Sequence, residues 1–299
     1  MQDKRTQVGK KVAWIALVAN IILAAGKIII GYFGGSEAVF ADGIHSGADV
    51  VASIAVVAVV GISNKPPDEE HPFGHGKAEV ISESIVGLIL FFVSIYIIVE
   101  AVFAMLGTPS APDLIAMAAA LGSYFAKEIL YRYSMKRGKK FNSKAIMAIA
   151  YDHQADIVAS LAAFAGVLLS IVGHYTGWKI LLYGDAAASI IVAGLIFRIS
   201  AKLVRSSVNV LMEKNVDHKQ LEKYTSAIES FADVKRIDQI RARELGHYVM
   251  LDVRLSIDHD KTIKEGHDTA RKIKNEIQDK FPDVEEVFIH INPYFEEDD

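Results

Sequence analysis

Up to about residue 205 the apolar residues fall in runs long enough to cross a bilayer; beyond it they recur in short periodic patterns. Six long stretches can be placed, at 12–33, 37–63, 79–106, 112–135, 142–173 and 179–204. Each supplies the roughly 20 residues a helix needs to traverse the hydrocarbon core. Isolated polar groups, Lys27, Glu83, Glu100 and Glu128 among them, interrupt several stretches and suit helices that face a polar bundle interior. In the tail, Leu221, Tyr224, Ile228 and Phe231 recur at helical spacing within 217–231. Ile263, Ala270, Ile273 and Ile277 do the same within 262–281. Segments 234–243, 247–257 and 287–291 read as strands. In the second of them Val249, Leu251, Val253, Leu255 and Ile257 point one way, and Asp252, Arg254 and Ser256 the other. The predicted fold is an α-helical membrane protein of six transmembrane helices, followed by a C-terminal α+β ferredoxin-like domain in the order αββαβ. The expected boundaries are an N-terminal tail at 1–11, a membrane domain at 12–205 and a tail domain at 206–299.

Composition supports a chain that is part membrane and part aqueous domain. Of its 299 residues 52% are hydrophobic and 23% charged, with mean hydropathy +0.27. The net charge of −4 says nothing about nucleic acid, but the tail strands lack the stacking aromatics and basic surface that nucleic-acid-binding sheets use, which disfavours that partner. With no cysteine, disulfides and thiolate ligands are excluded. The N-terminus MQDKRTQVGKK lacks the apolar core and small-residue cleavage site of a signal peptide. Lys4, Arg5, Lys10 and Lys11 precede the first stretch, and Lys65 and Lys77 follow the second. Arg132, Lys136, Arg137, Lys139, Lys140 and Lys144 lie between the fourth and fifth, whereas the opposite loops are nearly free of basic residues. That bias predicts a multi-pass protein of the cell membrane with both termini in the cytoplasm.

Two pairs of ionisable residues stand inside this apolar frame. His45 and Asp49 occupy the second stretch, Asp152 and Asp156 the fifth, each pair spaced i,i+4 and so one helical turn apart. Such groups cost several kcal/mol within a bilayer unless they meet a partner, a cation or water. Together they could offer four ligands to one divalent ion. His153 lies off the shared face and reads as a supporting residue or an alternative ligand. Carboxylates and neutral imidazole release protons as they take up metal, which opens a route to cation/proton exchange. Three carboxylates with one imidazole form a hard donor set that leans toward Mn²⁺, although Zn²⁺, Fe²⁺ and Co²⁺ accept the same mixture. In the loop PPDEEHPFGHGKAE, Asp68, His71 and His75 form a second constellation able to bind metal.

The segments ADGIHSGAD, PPDEEHPFGHGKAE, KEILYRYSMKRGKK, AYDHQAD and EGHDTARKIKNEI…VFIHINP, in that order, resemble the cation diffusion facilitator family of metal/proton antiporters. The resemblance implies a homodimer that exports divalent transition metals against inward proton flow. It also implies a transport site of His45, Asp49, Asp152 and Asp156, and a loop site of Asp68, His71 and His75. Asp152 stands where zinc exporters of the family carry histidine, a pattern closer to its manganese exporters. In the tail, Asp252, His267 and His290 match family ligand positions, with His247 as a further candidate, while Asp238, Arg254 and Asn292 depart from the zinc pattern. Lys77 and Glu213 match a charge pair that links the membrane and tail domains. No cofactor is implied beyond transported or regulatory ions, Mn²⁺ or alternatively Zn²⁺; Cd²⁺ is a further cargo that the resemblance leaves open. The partners implied are the metal ion, protons, the lipid bilayer and a second copy of the chain.

Two other classes are weaker readings. An intramembrane metalloenzyme needs an open coordination position and a general base, and the chain has no H-E-x-x-H motif. A membrane-tethered sensor would leave four ionisable ligands in the membrane without a task.

Overall fold

The computed structural model of the chain describes residues 2–107, 111–140 and 143–295. The side chains of Lys4, Arg5 and Lys144, named above for orientation, lie outside the described residues. The long helices are α1 (Gln2–Phe33), α2 (Glu37–Ser63), α3 (Lys77–Leu106), α4 (Leu114–Lys140), α5 (Lys144–Thr176) and α6 (Gly184–Leu211). Among the described residues, five segments are long and apolar enough to cross a membrane: Lys10–Phe33, Lys77–Leu106, Leu114–Lys140, Ile149–Thr176 and Lys179–Leu211. The sixth long helix, α2, has 27 residues and carries Glu37, Asp42 and Asp49. The chain divides into two compact units, Met1–Val57 with Ile85–Val204, and Ala58–Ser84 with Arg205–Asp299.

In the first unit, the usual distribution of apolar and charged side chains is inverted. Trp14, Ile22, Phe92, Phe103 and Ile129 are 65–66% exposed, whereas Lys27, Asp42, Lys127 and Asp156 are at most 3% exposed. An apolar exterior around a charged interior is the arrangement that lipid as solvent demands. Glycines let α1 and α2 approach closely. A Cβ on Gly31 would lie 2.5 Å from the Phe40 backbone nitrogen, and one on Gly43 would lie 2.7 Å from that of Ile28. The start of α2 is fixed by Asp185 on α6, which accepts hydrogen bonds from Ser36 Oγ at 2.6 Å and the Glu37 N–H at 2.7 Å. At the other end of α5, Gly177 takes a left-handed conformation with φ of 74°, and a short 3-10 turn at Lys179–Tyr183 follows. The sixth helix therefore starts at Gly184, five residues after its predicted beginning, because the turn reverses the chain first.

The tail in the second unit contains α7 (His218–Glu229), α8 (Ile263–Lys280) and a sheet of β1 (Val234–Glu244), β2 (Val249–Asp258) and β3 (Val284–Tyr294) in the order β1-β2-β3. β1 and β2 are antiparallel, and β2 and β3 are parallel across α8. This is the expected αββαβ arrangement. Leu251, Val253 and Leu255 form a core with Tyr224, Ile228, Ile273 and Ile277 of the two helices. Thr262 and Glu265 close a capping box that fixes where α8 begins. β3 is longer than the predicted 287–291, because pairing with β2 continues from Val249↔Val284 to Asp258↔Tyr294. As an edge strand it tolerates Pro293.

Candidate metal centre

Asp42, His45, Ser46 and Asp49 recur at i, i+3, i+4 and i+7, so α2 presents them as one stripe. Asp156 on α5 meets that stripe. One donor atom each from His45, Asp49 and Asp156 lies within 4.8 Å of the others. His45 Nε2 is 3.6 Å from Asp156 Oδ1, and both side chains are buried. Donors held about 2.1 Å from one first-row divalent ion stand roughly 3–4 Å apart, so a small closure would bring the three onto one ion. Asp152 does not join this group and is exposed. Four residues of helix advance about 40° beyond a full turn, which swings Asp152 away from the face that carries Asp156. His153, on the same helix, is 1% exposed. Its Nδ1 lies 4.0 Å from Asp156 Oδ2, and neither ring nitrogen has a hydrogen-bond partner among the described residues.

The cationic side of this interior holds Lys27, which the sequence places in a polar bundle interior, and Lys127, which was not singled out from sequence. Lys127 on α4 is fully buried, with Nζ 2.5 Å from Asp156 Oδ2 and 2.8 Å from Asn20 Oδ1. Lys27 on α1 lies 3.0 Å from Asp42 Oδ2 and donates to Ser46 Oγ at 2.6 Å. Ser160 Oγ donates to Asp42 Oδ2 at 2.7 Å and lies 3.1 Å from Ser123 Oγ. These contacts join α1, α2, α4 and α5 in one polar network around the His45, Asp49 and Asp156 group. At an effective dielectric of about 20, opposite unit charges ~4 Å apart attract by about 4 kcal/mol, so the carboxylates and ammonium groups hold one another strongly. The signal for Lys127 in the sequence is an ionisable residue within an apolar run, next to Glu128.

The loop residues also come together. His71 Nδ1 and His75 Nε2 each lie 3.4 Å from an oxygen of Asp68, and the three donors are within 4.8 Å of one another. The His71 N–H donates to Asp68 Oδ1 at 2.7 Å, and that bond holds the Asp68 carboxyl below the ordinary carboxylate range. His75 Nδ1 is buried and has no hydrogen-bond partner among the described residues. The loop is pinned within its own unit. Tyr248 donates to the Phe73 carbonyl at 2.5 Å, and a Cβ on Gly76 would collide with the Leu245 carbonyl. Beside it, Glu213 accepts from Arg243 Nη1 at 2.6 Å and from Lys77 Nζ at 3.3 Å. Arg243 first, then Lys77, hold the Glu213 carboxyl below its usual range.

The tail candidates are spread out. Asp252 lines a hollow with Glu213, Arg241 and Arg243, whereas His267 and His290 line a separate cavity of about 410 Å³ beside the start of α8. In the sheet register, His290 stands opposite Arg254 rather than Asp252. His247 is exposed in the β1–β2 turn, its ring edge-on to Tyr248. A further exposed group, Asp258, His259 and Asp260, was not nominated from sequence.

The sequence pattern of the cation efflux transmembrane domain matches residues 13–212, and that of the cation efflux protein cytoplasmic domain matches 216–294. The chain is 67% identical over 297 residues to the manganese efflux system protein MneP of Bacillus subtilis, covering 99% of this chain and 100% of MneP. It is 34% identical over 285 residues to the magnetosome protein MamB of Paramagnetospirillum magneticum, covering 95% and 94% of the two chains. Among solved structures, the metal-bound C-terminal domain of the CzcD transporter from Thermotoga maritima matches 26% of this chain and 94% of its own, at 23% identity and a TM-score of 0.25.

Proposed function

Because this chain belongs to the cation diffusion facilitator family of cation efflux transporters, we propose that it exports Mn²⁺ from the cytoplasm in exchange for protons. The observation that carries this reading is the convergence of His45, Asp49 and Asp156 in the interior of an apolar helical unit. Two carboxylates and one imidazole, with Asp152 one turn away on α5, form an oxygen-rich donor set that favours a hard divalent ion. The 67% identity to a manganese efflux protein supports the same cargo.

In this mechanism the site faces the cytoplasm, binds the ion through deprotonated carboxylates and neutral imidazole, then opens outward. There the ion leaves and the same groups take protons, so that each cycle exchanges metal for H⁺. The chain works as a homodimer in the cell membrane with both termini in the cytoplasm. The loop trio Asp68, His71 and His75 binds a second ion. Asp252, His267 and His290, with His247 as a further candidate, serve as tail ligands only once further donors join them. Lys77 and Glu213 hold the loop end of α3 to the tail.

Flux into proteoliposomes under an imposed pH gradient tests the proposal. Wild type should carry Mn²⁺ into the lumen and alkalinise it in step, because protons leave in exchange, and Asp49→Ala and Asp156→Ala should carry none. Unchanged Mn²⁺ flux in both variants would remove the site from the mechanism. Flux independent of the pH gradient would remove the proton.

A further inference from the structure

We propose that Lys127 is a tethered counter-cation of the export site: its ammonium group and the transported ion are alternative occupants of Asp156. The inference rests on the metal-site reading above and adds a positioning and specificity-setting residue to it.

Asp156 is shared between two kinds of neighbour. Its Oδ1 faces His45 Nε2 at 3.6 Å, on the side of the three-donor group, while its Oδ2 holds Lys127 Nζ at 2.5 Å. Lys127 is fully buried, so no water competes for its charge. A divalent ion on Oδ1 would stand a few ångströms from that ammonium in a low-dielectric interior, where like charges repel strongly. Tight binding of the ion therefore requires the ammonium to leave Asp156.

The same interior offers it a destination. Asp42 Oδ1 is buried and has no hydrogen-bond partner among the described residues. Asp42 Oδ2 connects through Ser160 Oγ to Ser123 Oγ, and Ser123 is one helical turn before Lys127 on the same face of α4. Asn20 Oδ1, 2.8 Å from Nζ, gives the ammonium a neutral partner that it can keep or exchange. Lys27 is different in kind: its carboxylate partner is Asp42, which lies outside the three-donor group.

Two consequences follow. A monovalent ion carries no more charge than the ammonium and gains little by displacing it, so the tethered lysine sets a threshold that divalent ions pass. Return of the ammonium to Asp156 also helps expel the ion on the outward side, because no counter-charge must be recruited from solvent.

The test compares the concentration dependence of Mn²⁺ flux in proteoliposomes of wild type, Lys127→Met, Lys127→Gln, Lys127→Arg and Asp49→Ala. Occupancy by the ammonium reduces the fraction of sites competent to bind, so its removal should lower KM for Mn²⁺ by about tenfold. Maximal flux should fall in the same variants, because release loses its internal competitor. Lys127→Arg keeps the charge and should keep KM near that of wild type. If Lys127→Met does not fold, Lys127→Gln, which retains a donor for Asn20, gives the same reading. An unchanged or raised KM in the neutral variants, with Asp49→Ala inactive, overturns the role of Lys127 alone. Normal flux in Asp49→Ala instead overturns the metal-site reading itself.

Discussion

Lys27 and Asp42 form a 3.0 Å ion pair between α1 and α2 whose side chains are 2% and 0% exposed. Breaking one member of such a pair strands the other charge in a medium that cannot solvate it. Lys27→Met is expected to lower stability by about 3–5 kcal/mol. Removing both charges in Lys27→Met/Asp42→Asn should recover most of that loss. Thermal unfolding in detergent, followed for the single and double variants, checks the expectation; a double variant as unstable as the single would show that the pair is not the cause.

The ion pair depends on how closely α1 and α2 run together, and that is set by glycine. A Cβ on Gly31 or Gly43 would meet backbone atoms of the opposite helix at 2.5 and 2.7 Å, and backbone does not yield cheaply. Gly31→Ala and Gly43→Ala should each cost about 1–3 kcal/mol and reduce Mn²⁺ flux. Gly26 on α1 has nothing within 4 Å of a built Cβ. Gly26→Ala should be neutral or stabilise by up to about 1 kcal/mol, through better helix propensity. The contrast between the three variants in one melting series separates close approach from a general effect of alanine.

Much of this architecture was legible in the chain. Run length alone placed six helices, and the switch from a 3.6-residue to a two-residue period placed the αββαβ tail. What periodicity could not decide was which of two adjacent charged residues faces inward. Glu128, expected to face the interior, is half-buried and pairs instead with the exposed Arg132, 2.5 Å away. Lys127 beside it is the buried one. The same limit applies to Asp152 and Asp156, which share a helical face in outline but differ by about 40° in direction. That difference decides which of them meets α2, and it depends on how α5 is rotated against its neighbours. The rotation is set by contacts such as those of Gly166 with Ala188 and Gly184, distant in sequence from the aspartates.

The outward turn of Asp152 predicts a graded mutational series. Asp152→Ala should reduce Mn²⁺ flux by less than Asp49→Ala or Asp156→Ala, since it removes a donor outside the close group. Asp152→His puts a softer donor one helical turn from Asp156, and should raise the ratio of Zn²⁺ to Mn²⁺ flux. Competition flux with both ions in the same vesicles measures that ratio. An unaltered ratio would exclude Asp152 from selectivity.

The loop trio makes a separate prediction. Its three donors are already within 4.8 Å, and His75 Nδ1 lacks a partner among the described residues. His75→Ala should remove about one bound ion per chain, measured by elemental analysis after gel filtration, because an incomplete set of ligands holds metal poorly. Asp49→Ala should remove a different ion, so the double variant should lose both. Retention of the full metal content by His75→Ala would return the loop to a purely structural role.

Glu213 ties the pH response of the tail unit to Arg243 and Lys77. Its carboxyl is held below the ordinary value of 4.5, first by the guanidinium at 2.6 Å and then by the ammonium at 3.3 Å. A carboxyl depressed in the folded state binds fewer protons there than in the unfolded chain. Its stabilisation is therefore complete above pH 4.5 and disappears as pH falls through the lower folded value. The Glu213 side chain is 45% exposed, so solvent screening limits the contribution to about 1 kcal/mol or less. Arg243→Ala should lower stability slightly at pH 7 and flatten the loss of stability below pH 4.5, whereas Lys77→Ala should do the same to a smaller degree. Acid titration of unfolding in the full-length protein distinguishes them. A steeper acid loss in Arg243→Ala than in wild type would mean that another carboxylate, rather than Glu213, governs the response.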